Sequence, residues 1–220
     1  MLTQSPACRK YQNWNVLSFF LLVFALALNI TTPAASGVGG ATHVAPSGIT
    51  PQARSLVVPL RVHVGESRKP IEAWVPVVQE INHIWFHQAR ICFDTRITRS
   101  DQISATGFDL WFAPDADGMN GYYVDAHDIR VREEPELAQV DRPAGHPAAR
   151  TAAHELGHAL GLAHRQNSDE NLMRSMTLGW QLDGEEVRMA RTRAEAIGTL
   201  RKDRSPCAVH LQEEPEVKRR

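Results

Sequence analysis

The chain has 220 residues and 24.5 kDa, with 43% hydrophobic and 22% charged residues, enough for one medium globular domain with its own core. A mean hydropathy of −0.31, with no periodic Gly or Pro pattern, excludes a collagenous, disordered or multi-span membrane protein. With 24 Lys+Arg against 25 Asp+Glu the net charge is −1, so there is no basic field for nucleic acid, and three cysteines are too few for a disulfide-built mini-domain.

The N-terminus reads as a targeting segment. After Arg9 and Lys10 no charged residue occurs until Arg54, and Val16–Leu28 is almost wholly apolar. A small-residue stretch, Ala34-Ala35-Ser36-Gly37, follows. A basic start, a short apolar run and a small-x-small end predict a secretory signal peptide over 1–36, cleaved after Ser36. The competing reading, an uncleaved anchor, needs roughly 20 apolar residues, and this run is shorter. Residues 37–54, rich in Gly, Ala, Pro, Ser and Thr, are expected to be a flexible leader. Export would leave Cys92 and Cys207 as a pair in an oxidising compartment, suggesting one disulfide; two unrelated buried thiols are the alternative.

A domain is expected over 55–205, with a tail over 206–220 whose last residues, EEPEVKRR, fray. In Leu56–Val64, Leu60, Val62 and Val64 alternate with Arg61 and His63 as in a half-buried strand. Ile71, Trp74, Val75, Val78, Ile81, Ile84 and Trp85 recur at helical spacing, with Pro76 either kinking this helix or marking its first turn. Ile91–Thr98, Phe108–Ala113, Gly121–Val124 and Ile129–Arg132 read as strands. Pro147–His158 is an Ala-rich helix ended by Gly161, and Glu185–Leu200 is a final helix started by Asp183 and Gly184. Strand, helix, four strands, then helices predict a mixed α/β (α+β) domain on one twisted, mostly parallel sheet, with an active-site helix and a C-terminal helix.

One motif carries the chemistry. Residues 154–164 read HELGHALGLAH and match H-E-x-x-H-x-x-G-x-x-H at every fixed position. His154 and His158, four apart on a helix, share a face, where two imidazoles can hold a Zn²⁺. Gly161 permits the turn that returns His164 as a third ligand. Three histidines leave a fourth position open, as in a catalytic site, and Glu155 beside the metal can hold a water that the ion polarises. The alternative, an Ala-rich core helix that happens to carry these residues, would bury imidazoles and a carboxylate without partners. His83 and His87 are also four apart, but without the Glu, the Gly or a third His they read as an ordinary helix feature.

The extended motif, followed nine residues after His164 by Met173 in ENLMRSM, resembles the metzincin clan of zinc peptidases, most closely the matrixin branch. The resemblance implies that Met173, rather than Met176, forms an apolar floor beneath the imidazoles. Ser175 stands where other branches carry a ligand tyrosine. It also implies that Gly121–Val124 is the edge strand that pairs with an extended substrate. Matrixins often add a cysteine-bearing propeptide, but residues 37–54 contain no cysteine. They often bind Ca²⁺ or a second structural Zn²⁺, for which Asp115-Ala116-Asp117-Gly118 and Asp125-Ala126-His127-Asp128 are the nearest candidates. Ordinary turn chemistry explains both segments equally well. The expectation is therefore a secreted, monomeric zinc endopeptidase with one catalytic Zn²⁺ on His154, His158 and His164 and with Glu155 as general base. It would act on a protein or peptide substrate, with no nucleic acid and no membrane contact after signal cleavage. A non-catalytic zinc-binding or adhesion module on the same scaffold is the rival.

Overall fold

The computed structural model describes residues 54–136, 145–175, 179–201 and 207–212. The expected signal peptide, nearly all of the leader and the EEPEVKRR end lie outside the described residues. Strand β1 (Ser55–His63) buries Leu56, Val58, Leu60 and Val62 on one face, as its alternation requires. A 3-10 turn (Ile71–Trp74) leads into helix α1 (Val75–Ala89), so Pro76 sits in the first turn, where its missing N–H costs nothing, and does not kink the helix. Strands β2 (Ile91–Thr98), β3 (Phe108–Ala113), β4 (Gly121–Asp125) and β5 (Asp128–Arg132) follow as expected, then helix α2 (Pro147–Ala159).

Helix α3 covers Gly184–Ile197 rather than Glu185–Leu200. Its start is set by a reciprocal cap. The Asp183 carboxylate accepts from the N–H groups of Glu185 and Glu186, and the Glu186 side chain accepts from the Asp183 N–H. It stops early because Gly198 turns to an extended conformation against β1; a Cβ there would lie 2.5 Å from the Val57 carbonyl oxygen. Residues Thr199–Arg201 then form β6, antiparallel to the first three residues of β1. The segment expected as a tail supplies a further strand, β7 (Val209–Leu211), parallel to β2.

The sheet has the order β4-β5-β3-β1-β2-β7, with β6 pairing to β1 off this path. Only the β4–β5 and β1–β6 pairings are antiparallel. It is the mixed α/β, mostly parallel architecture expected. Leu60, Phe93, Ile97, Leu110, Phe112, Ile129 and Val131 line one face and form a single core with α1 and α2. Buried Asn82 of α1 donates to the Phe93 carbonyl and accepts from its N–H, satisfying the stretch of β2 that β7 does not reach. Cys92 and Cys207 are disulfide-bonded with Cα atoms 5.4 Å apart, joining the β7 segment to β2 across 115 residues of sequence. No helix among the described residues is long and apolar enough to cross a membrane.

Candidate metal centre

Helix α2 packs beneath the sheet against α1, where Trp85 Nε1 donates to the Ala153 carbonyl at 3.2 Å. Its face carries His154, Glu155 and His158. The helix ends in a glycine-dependent turn. Gly161 has φ +86°, the Leu162 N–H bonds the Gly157 carbonyl, and the Gly161 N–H bonds the His158 carbonyl. That turn sends the chain back, so His164 comes alongside the two helical histidines.

The three Nε2 atoms converge. They lie 3.2 Å (His154 to His158), 3.2 Å (His154 to His164) and 3.1 Å (His158 to His164) apart. A tetrahedral zinc with nitrogens at 2.0–2.1 Å sets those nitrogens about 3.3–3.4 Å apart, so the triangle has the size of a zinc face. The protonation states fit as well. His154 Nδ1 donates to the Leu172 carbonyl at 2.7 Å, and His158 Nδ1 donates to the Leu162 carbonyl at 2.8 Å. A carbonyl only accepts, so each Nδ1 holds the ring proton and each Nε2 turns a lone pair inward. Lone pairs this close repel one another unless a cation stands between them, so the donor set fits Zn²⁺. Among the described residues, these three form the only group of His, Cys, Asp and Glu that could hold a metal ion.

Burial tunes the groups. His154, 5% exposed, is lowered to about 4 chiefly by desolvation, which keeps it a neutral donor, and desolvation lowers His158 too. Glu155, 7% exposed, is raised by the same cause to about 7. In the metal-free protein these shifts oppose each other in stability. Below pH 6.5 the unfolded chain takes up a proton that buried His154 refuses, so stability falls as pH drops toward 4. Above pH 4.5 the unfolded chain releases a proton that buried Glu155 retains, so stability falls as pH rises toward 7. Near pH 8 only the Glu155 cost remains, at most roughly 3 kcal/mol for a shift of this size. Metal-free Glu155→Gln should therefore resist urea better than the metal-free parent at that pH, with the advantage gone near pH 4. Urea titrations in chelator at both pH values check this.

Met173 packs against the helix that carries His154 and His158. It is fully buried and lies under Gly157, where a Cβ would stand 2.3 Å from its Sδ and 2.9 Å from its Cε. The turn carrying it is fixed from two sides. Asn171 Oδ1 accepts from the Met173 N–H at 2.6 Å, while Asn171 Nδ2 donates to Glu186 Oε2 of α3 at 2.8 Å. The Arg165 N–H bonds the Met173 carbonyl, and the Arg165 guanidinium pairs with Glu185 of α3, tying the His164 segment to the same support. Gly157→Ala should cost about 1–3 kcal/mol by overpacking, whereas Met173→Leu, which nearly keeps volume, should cost less than about 1.5 kcal/mol. Thermal unfolding of the two variants separates a packed methionine from an exposed turn, which would tolerate both.

Strand β4 runs beside α2. Gly121 faces Thr151 and Glu155; a Cβ there would lie 2.7 Å from Thr151 Cγ2 and 3.1 Å from Glu155 Cγ. Two residues on, Tyr123 lies on the same side, its ring centroid 6.3 Å from that of His158. As the end strand of the sheet order, β4 has no strand partner on its outer edge among the described residues.

The structure thus brings together His154, Glu155, His158 and His164. His83 and His87 lie side by side with tilted rings, 4.2 Å between centroids, on the exposed face of α1 and outside this cluster. The Asp-rich segments are turns: Asp115 accepts from the Gly118 N–H and Asp125 from the His127 N–H. Sequence reasoning missed the Leu162 and Leu172 carbonyls, Asn171, and the closeness of Gly121. The glycine between the two helical histidines and the Asn two residues before Met173 were the available signals. Met176–Leu178 lie outside the described residues.

No protein-family model matches the sequence, and no curated protein sequence does. Among solved structures, an archaemetzincin from Methanopyrus kandleri is similar, with a TM-score of 0.41 and 13% identity over 67% of this chain and 99% of that one.

Proposed function

We propose that this chain is an exported zinc-dependent endopeptidase of the metzincin clan, nearest its matrixin branch. The convergence of three Nε2 atoms on one point, with a buried carboxyl next in sequence to the first, carries the reading. His154, His158 and His164 would hold a Zn²⁺, which would supply Lewis acidity. The Leu162 and Leu172 carbonyls hold two of the imidazoles in the donor tautomer. Glu155 takes the proton of the attacking water and returns it to the leaving nitrogen. Its raised proton affinity suits both halves of that exchange near neutral pH.

The outer edge of β4 offers backbone partners to an extended peptide, which would lie antiparallel or parallel to Gly121–Val124 by strand addition. Gly121 keeps the space beside Glu155 clear, and Tyr123 walls the approach to His158. The side chain after the scissile bond would enter a pocket beside α2. Export rests on the uncharged apolar run of the N-terminus, and the Cys92–Cys207 bond supports it, because disulfides persist in oxidising compartments.

Casein hydrolysis, measured before and after chelation and again after zinc is restored, tests the reading. Loss on chelation and recovery with zinc are expected. A protein that binds zinc yet cleaves neither casein nor gelatin would instead be a non-catalytic module on the same scaffold.

A further inference from the structure

The sheet face turned away from α1 and α2 carries a second polar site. Register pairs Arg61 of β1 with Arg96 of β2, and Arg96 with His210 of β7. Register partners on neighbouring strands share a face, so the two arginines and His210 stand in a row across three strands. They line a cleft of about 520 Å³ whose opposite wall is Ser104, Ala105 and Thr106 of the β2–β3 loop.

Like charges set directly opposite each other on a sheet are destabilising unless something neutralises them. The nearby carboxylates do so only in part. Asp94, on the same face, stands 3.5 Å from His210 Nε2. Asp109, the partner of Arg61 in β3, is already engaged by His63 at 2.8 Å, His127 at 2.7 Å and the Ser104 N–H. Arg61 gives one N–H to the Gln102 carbonyl, and exposed Arg96 makes no hydrogen bond or ion pair with any described residue. Two adjacent guanidinium forks therefore open into one cleft with most of their donors free. Such a pair matches the oxygens of a tetrahedral oxyanion, which accepts paired N–H bonds from each fork.

We propose that this cleft binds a small molecule bearing a phosphoryl or sulfuryl group, held by Arg61 and Arg96, with the β2–β3 loop against its remaining atoms. The site lies on the opposite face of the sheet from the three histidines and does not depend on peptidase activity.

Calorimetric titration of the zinc-loaded full chain with inorganic phosphate, inorganic sulfate and glucose 6-phosphate tests it. Saturable binding is expected, weakened roughly tenfold or more by Arg96→Gln or Arg61→Gln, since each removes charge-assisted bonds. Arg188→Gln, on the exposed side of α3, should leave the affinity unchanged. A thermal shift with the same anions should be present in the parent and lost in both site variants, whose own unfolding temperature reports that they fold. Tighter binding of the sugar phosphate than of inorganic phosphate identifies an ester ligand, and equal binding identifies the free oxyanion. The proposal is overturned if none of the three anions binds, or if binding in Arg96→Gln keeps the parent affinity, as it would were the anion held at the zinc.

Discussion

Glu155→Gln should lower peptide hydrolysis by a factor of roughly 10²–10⁴ while leaving about one zinc per chain. The glutamine amide keeps the size of the carboxyl and fits the same space between Gly121 and Thr151. It still offers hydrogen bonds, but it cannot take the proton of the attacking water or pass one to the leaving nitrogen. The three imidazoles are untouched, because each candidate ligand atom is set by its own support. His154 is held by the Leu172 carbonyl, His158 by the Leu162 carbonyl, and the His164 segment by Arg165. Steady-state rates and metal analysis on one preparation give the answer. Full activity in the variant would remove Glu155 from the chemistry, and loss of zinc with activity would make it part of the metal's support.

His164→Ala should act in the opposite pattern, losing metal and activity together. It removes one of three nitrogens, so zinc affinity should fall by more than the 10–100-fold that loss of an outer partner typically costs. His164 is exposed and lies outside the helix, so truncating it leaves the core intact. The stability effect should therefore appear only through the metal. Saturating the parent with zinc at 100–1,000 times its dissociation constant adds about 3–4 kcal/mol, and that gain should be absent in the variant. Unfolding in chelator, where neither protein holds metal, should be nearly the same for both. A large difference there would mean that His164 serves the fold itself.

Much of this site is legible in the sequence because its geometry is local. Spacing of four on a helix puts His154 and His158 together, and a glycine three residues later permits the turn that returns His164. Both follow from helix periodicity and from the left-handed conformation only glycine adopts cheaply. The five longer strands and three helices were legible for the same reason, through alternation, 3.6-residue recurrence and the Asp183 cap. What escaped is non-local or short. β6 and β7 are three residues each, too few to show a period, and β7 exists because the sheet edge and the disulfide receive it. Leu200 continues the apolar spacing of α3, but the close approach of Gly198 to the Val57 carbonyl, invisible in sequence, ends the helix first. Asp109 reads as an ordinary strand residue, yet it is fully buried and joins His63, His127 and the β2–β3 loop, residues that only the sheet register brings together. The Arg61–Arg96 neighbourhood has the same origin. It depends on which residue of β1 faces which residue of β2, and nothing in either strand alone fixes that.

The most direct test is to digest a protein substrate with the zinc-loaded chain in water enriched in oxygen-18 and to read the products by mass spectrometry. A zinc endopeptidase should give internal cleavages whose new C-terminal carboxylates carry the heavy oxygen, and the fragments should vanish on chelation and return with zinc. Intact substrate after prolonged incubation with fully zinc-loaded protein, or fragments that form equally well in chelator, would contradict the account.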